Sequence, residues 1–208
     1  MLRGLYAVTP DIADTADLLR RADLALLGGA RLVQYRNKRA DVTLRRDQAA
    51  ALLAACRRHG ARLIVNDDLP LALAVGADGA HLGREDGDLA AARAALGPGK
   101  LLGVSCYDEM ERAREAGRAG ADYVAFGSFF ASPTKPAAVR APLTLLAEAR
   151  KELGLPVCAI GGITLQNAEQ LIAAGADLLA VITDLFEAPD IRARAAAYTS
   201  LFSERVTS

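Results

Sequence analysis

Histidine and cysteine are scarce in this chain. His59 and His81 are the two histidines, and Cys56, Cys106 and Cys158 include no C-x-x-C pair. Two histidines so far apart make a poor zinc site. An odd number of thiols cannot pair completely, so the cysteines read as reduced thiols, two of them packed in apolar surroundings. Net charge is also missing: 25 Lys and Arg balance 25 Asp and Glu. That excludes a general affinity for nucleic acid or an anionic membrane, so any anion must be held by a local cluster. No apolar run approaches the ~18 residues of a membrane-spanning helix. The start, Met1-Leu2-Arg3-Gly4, runs straight into an apolar segment without a charged leader pattern. The expectation is an untargeted cytoplasmic protein with no membrane partner. No G-x-G-x-x-G follows the first apolar segment, which weighs against a doubly wound dinucleotide fold.

What is present is an alternation of two textures. Short segments rich in Val, Ile, Leu and Tyr read as strands buried on both faces. They lie at Leu5–Val8, Leu32–Tyr35, Leu63–Val65, Gly79–Leu82, Leu101–Ser105, Tyr123–Gly127, Val157–Ile160 and Leu178–Ile182. Ala/Leu/Arg/Glu stretches with helical periodicity follow each, at 14–27, 43–58, 69–75, 88–96, 108–118, 143–153, 165–174 and 188–202. A phrase recurs between helix and strand: Gly29-Ala30-Arg31, Gly60-Ala61-Arg62, Gly76-Ala77-Asp78, Gly120-Ala121-Asp122 and Gly175-Ala176-Asp177. Glycine suits a helix end that needs positive φ. A turn repeated in this way marks a repeated βα unit. The expected fold is α/β, a (β/α)₈ TIM barrel, with residues 1–208 as a single domain.

In such a barrel the chemistry sits at the C-terminal ends of the strands. Strand 2 ends in Gln34-Tyr35-Arg36-Asn37-Lys38. Alternation sends Gln34, Arg36 and Lys38 to one side, where an amide and two cations would hold an anion. An ordinary solvated strand end is as good a reading of that motif alone. Asn66-Asp67-Asp68 follows strand 3 and Gly83-Arg84-Glu85-Asp86 follows strand 4. Asp67 and Asp86 on adjacent strands would hold one Mg²⁺ together with water and phosphate oxygens. Helix capping is the plainer alternative, for Asp86 above all. Ser105 ends strand 5. Gly161-Gly162 and Ile182-Thr183 follow strands 7 and 8, the usual barrel position for a phosphate held by backbone N–H groups. The stretch 127–142, with Ser132, Pro133, Thr134 and Lys135, has the texture of a loop that closes over a ligand. His81, within strand 4, reads as packed or structural.

Taken together these motifs resemble the thiamine-phosphate synthases. The resemblance runs from Leu5-Tyr6-Ala7-Val8-Thr9 to Val181-Ile182-Thr183. It includes Gln34-x-Arg36-x-Lys38, Asn66-Asp67, His81-Leu82-Gly83-x-Glu85-Asp86, Gly103-Val104-Ser105, Thr134-Lys135 and Ile160-Gly161-Gly162-Ile163. It implies a transferase that joins a hydroxymethylpyrimidine diphosphate to a thiazole phosphate, giving thiamine phosphate and pyrophosphate. It further implies that Gln34, Tyr35, Arg36, Asn37, Lys38, Asn66, Ser105 and Lys135 contact the pyrimidine diphosphate. Arg36, Lys38, Ser105 and Lys135 would act on the leaving group. Asp67 and Asp86 would be the Mg²⁺ ligands. Ser132, Pro133, Thr134, Gly162, Ile182 and Thr183 would form the thiazole phosphate pocket. Departures from the commonest pattern are Ala131 for Pro, Ser132 for Thr, Asp68 for Arg and Thr183 for Ser. The hydroxyls at 132 and 183 are retained. A sister family of thiazole tautomerases would carry a His where Tyr107 stands. A non-catalytic thiamine-binding barrel and another phosphate isomerase are the remaining alternatives. The partners expected are two phosphorylated small molecules. Assembly into a homo-oligomer is compatible with the sequence.

Overall fold

A computed structural model describes residues 2–131 and 139–203. Eight parallel strands close into a barrel in sequence order, with β1 bonded to both β2 and β8. They are β1 Gly4–Val8, β2 Leu32–Tyr35, β3 Arg62–Asn66, β4 Gly79–Leu82, β5 Leu101–Tyr107, β6 Tyr123–Phe126, β7 Val157–Ile160 and β8 Leu178–Val181. The helices are α1 Thr15–Leu27, α2 Val42–Arg58, α3 Leu69–Val75, α4 Leu89–Leu96, α5 Met110–Arg118, α6 Thr144–Leu153, α7 Leu165–Ala173, α8 Thr183–Phe186 and α9 Ile191–Ser203. The barrel expected from the sequence is the one observed. One helix was not foreseen. The four residues of α8 are too few to show a period.

The recurrent Gly-Ala turns form the floor of the barrel. Their glycines, Gly29, Gly60, Gly76, Gly120 and Gly175, all have positive φ. The aspartates that follow have a further task. Asp78 accepts a hydrogen bond from the Leu63 amide at 2.8 Å, Asp122 from Leu102 at 2.7 Å and Asp177 from Val157 at 3.1 Å. Each carboxylate therefore ties the start of its own strand to the strand before it. At the other end of the units, Asp14, Asp41, Asp68 and Asp88 cap α1 to α4 through their side chains, satisfying amides the helices leave open.

Alternation along the strands makes two cores. One set of residues, among them Leu5, Ala7, Val33, Leu63, Val65, Leu102 and Val104, faces the helices. The helices answer with small buried residues such as Ala22, Ala49, Ala113 and Ala168, which let them lie close to the barrel. The other set fills the barrel interior: Tyr6, Val8, Leu32, Ile64, Leu101, Tyr123, Ala125, Cys158, Leu178 and Ala180. The last inward positions before each strand ends are polar on β2 to β5, at Gln34, Asn66, His81 and Ser105, and all four line one cavity. All three cysteines are free and buried. Burial pushes the thiols of Cys56 and Cys106 up to about 12 and raises that of Cys158 further.

Candidate active site

A cavity of about 340 Å³ opens at the C-terminal ends of the strands, within the size range of small-ligand pockets. A buried polar line crosses its floor. Gln34 Nε2 donates to Tyr6 Oη at 2.7 Å, and Tyr6 Oη lies 2.7 Å from Tyr123 Oη. Tyr123 Oη is 3.0 Å from His81 Nδ1, and His81 Nε2 is 2.8 Å from Ser105 Oγ. Burial holds both phenols protonated far above their usual range. Gly103 makes room for this arrangement: it pairs with Tyr123 across β5 and β6, and a Cβ on it would run into the Tyr123 ring. Beyond Ser105 the register of β5 shifts, and Tyr107 takes a left-handed backbone with φ of 57°. Such a bulge re-aims side chains at a site, and here it brings Tyr107 to the cavity wall.

The cationic end is built by the β1 and β2 termini. Thr9 Oγ1 donates to the Arg36 carbonyl at 3.0 Å and accepts from the Arg36 amide at 2.9 Å. The Asp11 carboxylate binds Arg36 Nη1 at 3.0 Å and the Lys38 amide at 2.9 Å. Arg36 lines the cavity, and the ammonium of Lys38 reaches Asp67 at 3.2 Å. Asp67 itself sits at φ of 61°, an uncommon backbone for a non-glycine residue. Asp86 is not a helix cap. Asp88 caps α4, and Asp86 instead accepts from the Gly83 amide at 2.7 Å. Burial and the adjoining Asp67 carboxylate push the Asp86 carboxyl up, against the opposing Gly83 amide and Lys38.

Two carboxylates in contact with each other suit a divalent cation. Their donors are hard oxygens, the preference of Mg²⁺. No cluster of three or more His, Cys, Asp or Glu that could hold a metal occurs among the described residues. A cation held by Asp67 and Asp86 would complete its shell with water and substrate oxygens, as Mg²⁺ commonly does. Asp68 points elsewhere. It caps α3 and pairs with Arg45 at 3.3 Å, so its extra negative charge is neutralised away from the pair. Glu85 is exposed.

The opposite wall is glycine-rich. Gly161 and Gly162 have φ of 100° and 63°. A Cβ on Gly161 would strike Ser128, and one on Gly162 would strike Phe130 and the Ala131 carbonyl. Glycine is therefore needed both for its angles and for space. Asn167 holds the turn, donating to the Gly162 carbonyl at 3.0 Å and accepting from the Thr164 amide at 2.9 Å. Gly162, Ile182 and Thr183 all line the cavity, as does Asp184. The Asp184 carboxylate is bound by Arg194 at 2.8 and 2.9 Å and by Tyr198 Oη at 2.6 Å. These donors oppose its repulsion toward an anion on this wall.

The structure thus brings Gln34, Arg36, Asn66, Ser105, Gly162, Ile182 and Thr183 to one cavity, with Lys38, Asp67 and Asp86 linked at its edge. Two residues of the strand-2 motif face away from it. Tyr35 Oη donates to Gln48 at 2.9 Å, and Asn37 Nδ2 donates to Gln48 at 3.0 Å and to the Ile12 carbonyl at 2.9 Å. The alternation that sends 34 and 36 to the cavity sends 35 and 37 toward α2, and Lys38 lies at the cavity edge. Ser132, Pro133, Thr134 and Lys135 lie outside the described residues. Sequence reasoning missed Tyr6, Asp11 and the linking role of His81. Tyr6 and His81 sit inside apolar strands, and Asp11 had no motif to mark it.

Comparison with known proteins agrees with this geometry. The family model described as thiamine monophosphate synthase matches residues 5–185. A thiamine-phosphate synthase of Aromatoleum aromaticum is 61% identical over 201 residues, covering 97% of each chain. One of an Azoarcus species is 60% identical, covering 97% of this chain and 98% of the relative. Among solved structures, thiamine phosphate pyrophosphorylase from Pyrococcus furiosus superposes with a TM-score of 0.84 at 33% identity, covering 98% of this chain and 96% of that one. With its closed barrel and two-sided site, the chain belongs to the thiamine monophosphate synthase family and is a transferase of thiamine biosynthesis.

Proposed function

We propose that the enzyme condenses 4-amino-2-methyl-5-hydroxymethylpyrimidine diphosphate with a thiazole phosphate or its carboxylated form, releasing thiamine phosphate and pyrophosphate. The observation that carries this reading is the two-sided cavity. One wall presents Gln34, Arg36, Asn66 and Ser105, with Lys38 and the Asp67–Asp86 pair at its edge, and the other presents the backbone turns after β7 and β8. An enzyme that joins two phosphorylated molecules needs two anion sites facing each other.

The chemistry asks for charge neutralisation and positioning. The C–O bond to the diphosphate breaks first, and its electron pair leaves with the diphosphate. The electron-rich aminopyrimidine bears the resulting cation. The lone pair of the thiazole nitrogen then forms the C–N bond, so no general base is required. Arg36, Lys38 and Lys135 stabilise the departing diphosphate, with hydrogen bonds from Asn66 and Ser105. Mg²⁺ bound by Asp67 and Asp86 would supply further positive charge to the same oxygens. Gly162, Ile182 and Thr183, with Ser132, Pro133 and Thr134, hold the thiazole phosphate so that its nitrogen faces the reacting carbon. Tyr35 and Asn37 serve the diphosphate wall indirectly, by anchoring the strand end to Gln48. The cytoplasm supplies both substrates. The test is to incubate the protein with both substrates, with and without Mg²⁺, and measure both products. Folded protein that makes neither product refutes the reading.

A further inference from the structure

The polar line beneath the cavity has a direction. Each phenol in it has one proton to give, and a neutral imidazole has one N–H. Gln34, Tyr6, Tyr123 and His81 are each less than 7% exposed, at 4%, 1%, 0% and 6%. A donor facing a donor there would leave a buried group unsatisfied. With a neutral imidazole, two arrangements satisfy every link. In the first, Gln34 Nε2–H donates to Tyr6, Tyr6 to Tyr123, Tyr123 to His81 Nδ1, and His81 Nε2–H to Ser105. The Ser105 hydroxyl proton then points into the cavity, and Gln34 Oε1 remains as an acceptor. In the second, every bond is reversed and the Gln34 amide is turned over. Ser105 then accepts at the cavity and Gln34 donates.

We propose that the line runs in the first direction. It holds His81 as the neutral Nε2–H tautomer and makes Ser105 a fixed hydrogen-bond donor to a phosphate oxygen. Gln34 Nε2 lies on Tyr6 in the structure, as this direction requires. The ligand selects the same direction, and this step rests on the proposed pyrimidine diphosphate reading. An exocyclic amino group needs an acceptor at Gln34, and a diphosphate needs a donor at Ser105. His81 and Tyr123 are then positioning residues that act through Ser105, and the two ends of the substrate are read by one connected device.

The test begins with ¹⁵N-histidine-labelled protein at neutral pH, using long-range ¹H–¹⁵N correlation. The chain has two histidines, and a His59→Gln variant assigns the signals. The expected result is His81 with an unprotonated Nδ1 and a protonated Nε2. An Nδ1–H ring or a doubly protonated ring overturns the proposal. Tyr123→Phe removes the donor to Nδ1, so the single Nε2–H state should be lost. With it, kcat should fall about tenfold, the order of one lost hydrogen bond. In a Ser105→Ala background the same substitution should cost almost nothing further. An equal tenfold loss in both backgrounds would mean that Tyr123 acts through packing, against the proposal. The labelled wild-type spectrum stands even where a variant fails to fold. The spectra need no substrate, so absent turnover counts against the functional reading and the tautomer is judged separately.

Discussion

Gln48 is the residue whose loss should be felt farthest from where it sits. It is fully buried on α2 at 0% exposure. Its Nε2 donates to the Ile12 carbonyl at 2.9 Å and the Ala13 carbonyl at 3.4 Å, and its Oε1 accepts from Tyr35 and Asn37 at 2.9 and 3.0 Å. It therefore ties the β1–α1 loop, which carries Asp11, to the strand end that carries Arg36 and Lys38. Gln48→Leu keeps the volume and removes these bonds. At ~1 kcal/mol for each of the three well-formed bonds, the loss is about 3 kcal/mol. For a chain of this size that lowers Tm by roughly 6–12 °C. Thermal unfolding followed by circular dichroism measures it. Tyr35→Phe added to Gln48→Leu should recover part of the loss, because it removes the orphaned hydroxyl. KM for the pyrimidine diphosphate should rise as the Asp11 loop loosens, with KM for the thiazole phosphate little changed. A Tm within about 2 °C of wild type would refute the reasoning.

Other outcomes follow from the same structure. Asp67→Ala or Asp86→Ala should lower turnover severely with the fold intact by circular dichroism, and near-normal activity at saturating Mg²⁺ in both variants would count against the metal assignment. Gly103→Ala should cost roughly 1–3 kcal/mol by overpacking against Tyr123 and depress kcat along with Tm; unchanged values would mean that the ring has room to move. The buried thiols should resist a thiol reagent between pH 7 and 9 in the native protein, while all three react in urea. Cys56 and Cys106 are raised from an ordinary value of 9.0 to about 12. Their contribution to stability is therefore complete below pH 9 and is lost as pH rises from 9 toward 12, which denaturant midpoints across that range will show.

Much of this was legible in the chain because the barrel repeats. Eight buried segments and recurrent Gly-Ala turns specify the architecture, and position after a strand identifies Arg36, Asn66, Asp67, Asp86 and Ser105 as rim residues. Tyr35 and Asn37 show the limit of reading a motif as a block: alternation places them on the opposite face from their neighbours. Tyr6 and Tyr123 show another. They lie 117 residues apart and hydrogen-bond only once the barrel closes, and each alone reads as an apolar strand residue. His81 reads as packed, which it is, yet its two ring nitrogens join the core to Ser105. For Asp86 the sequence left capping of the following helix open beside a place in the carboxylate pair. Asp88, two residues on, takes that role and leaves Asp86 beside Asp67.

The central claim is that one cavity holds two phosphorylated substrates and joins them. The direct measurement is product formation from both substrates, followed by chromatography of thiamine phosphate and by pyrophosphate release, with Mg²⁺ present or chelated. The account predicts equal amounts of both products with Mg²⁺, and a large loss of both on chelation. Pyrophosphate release without thiamine phosphate, or no product from folded protein, would contradict it.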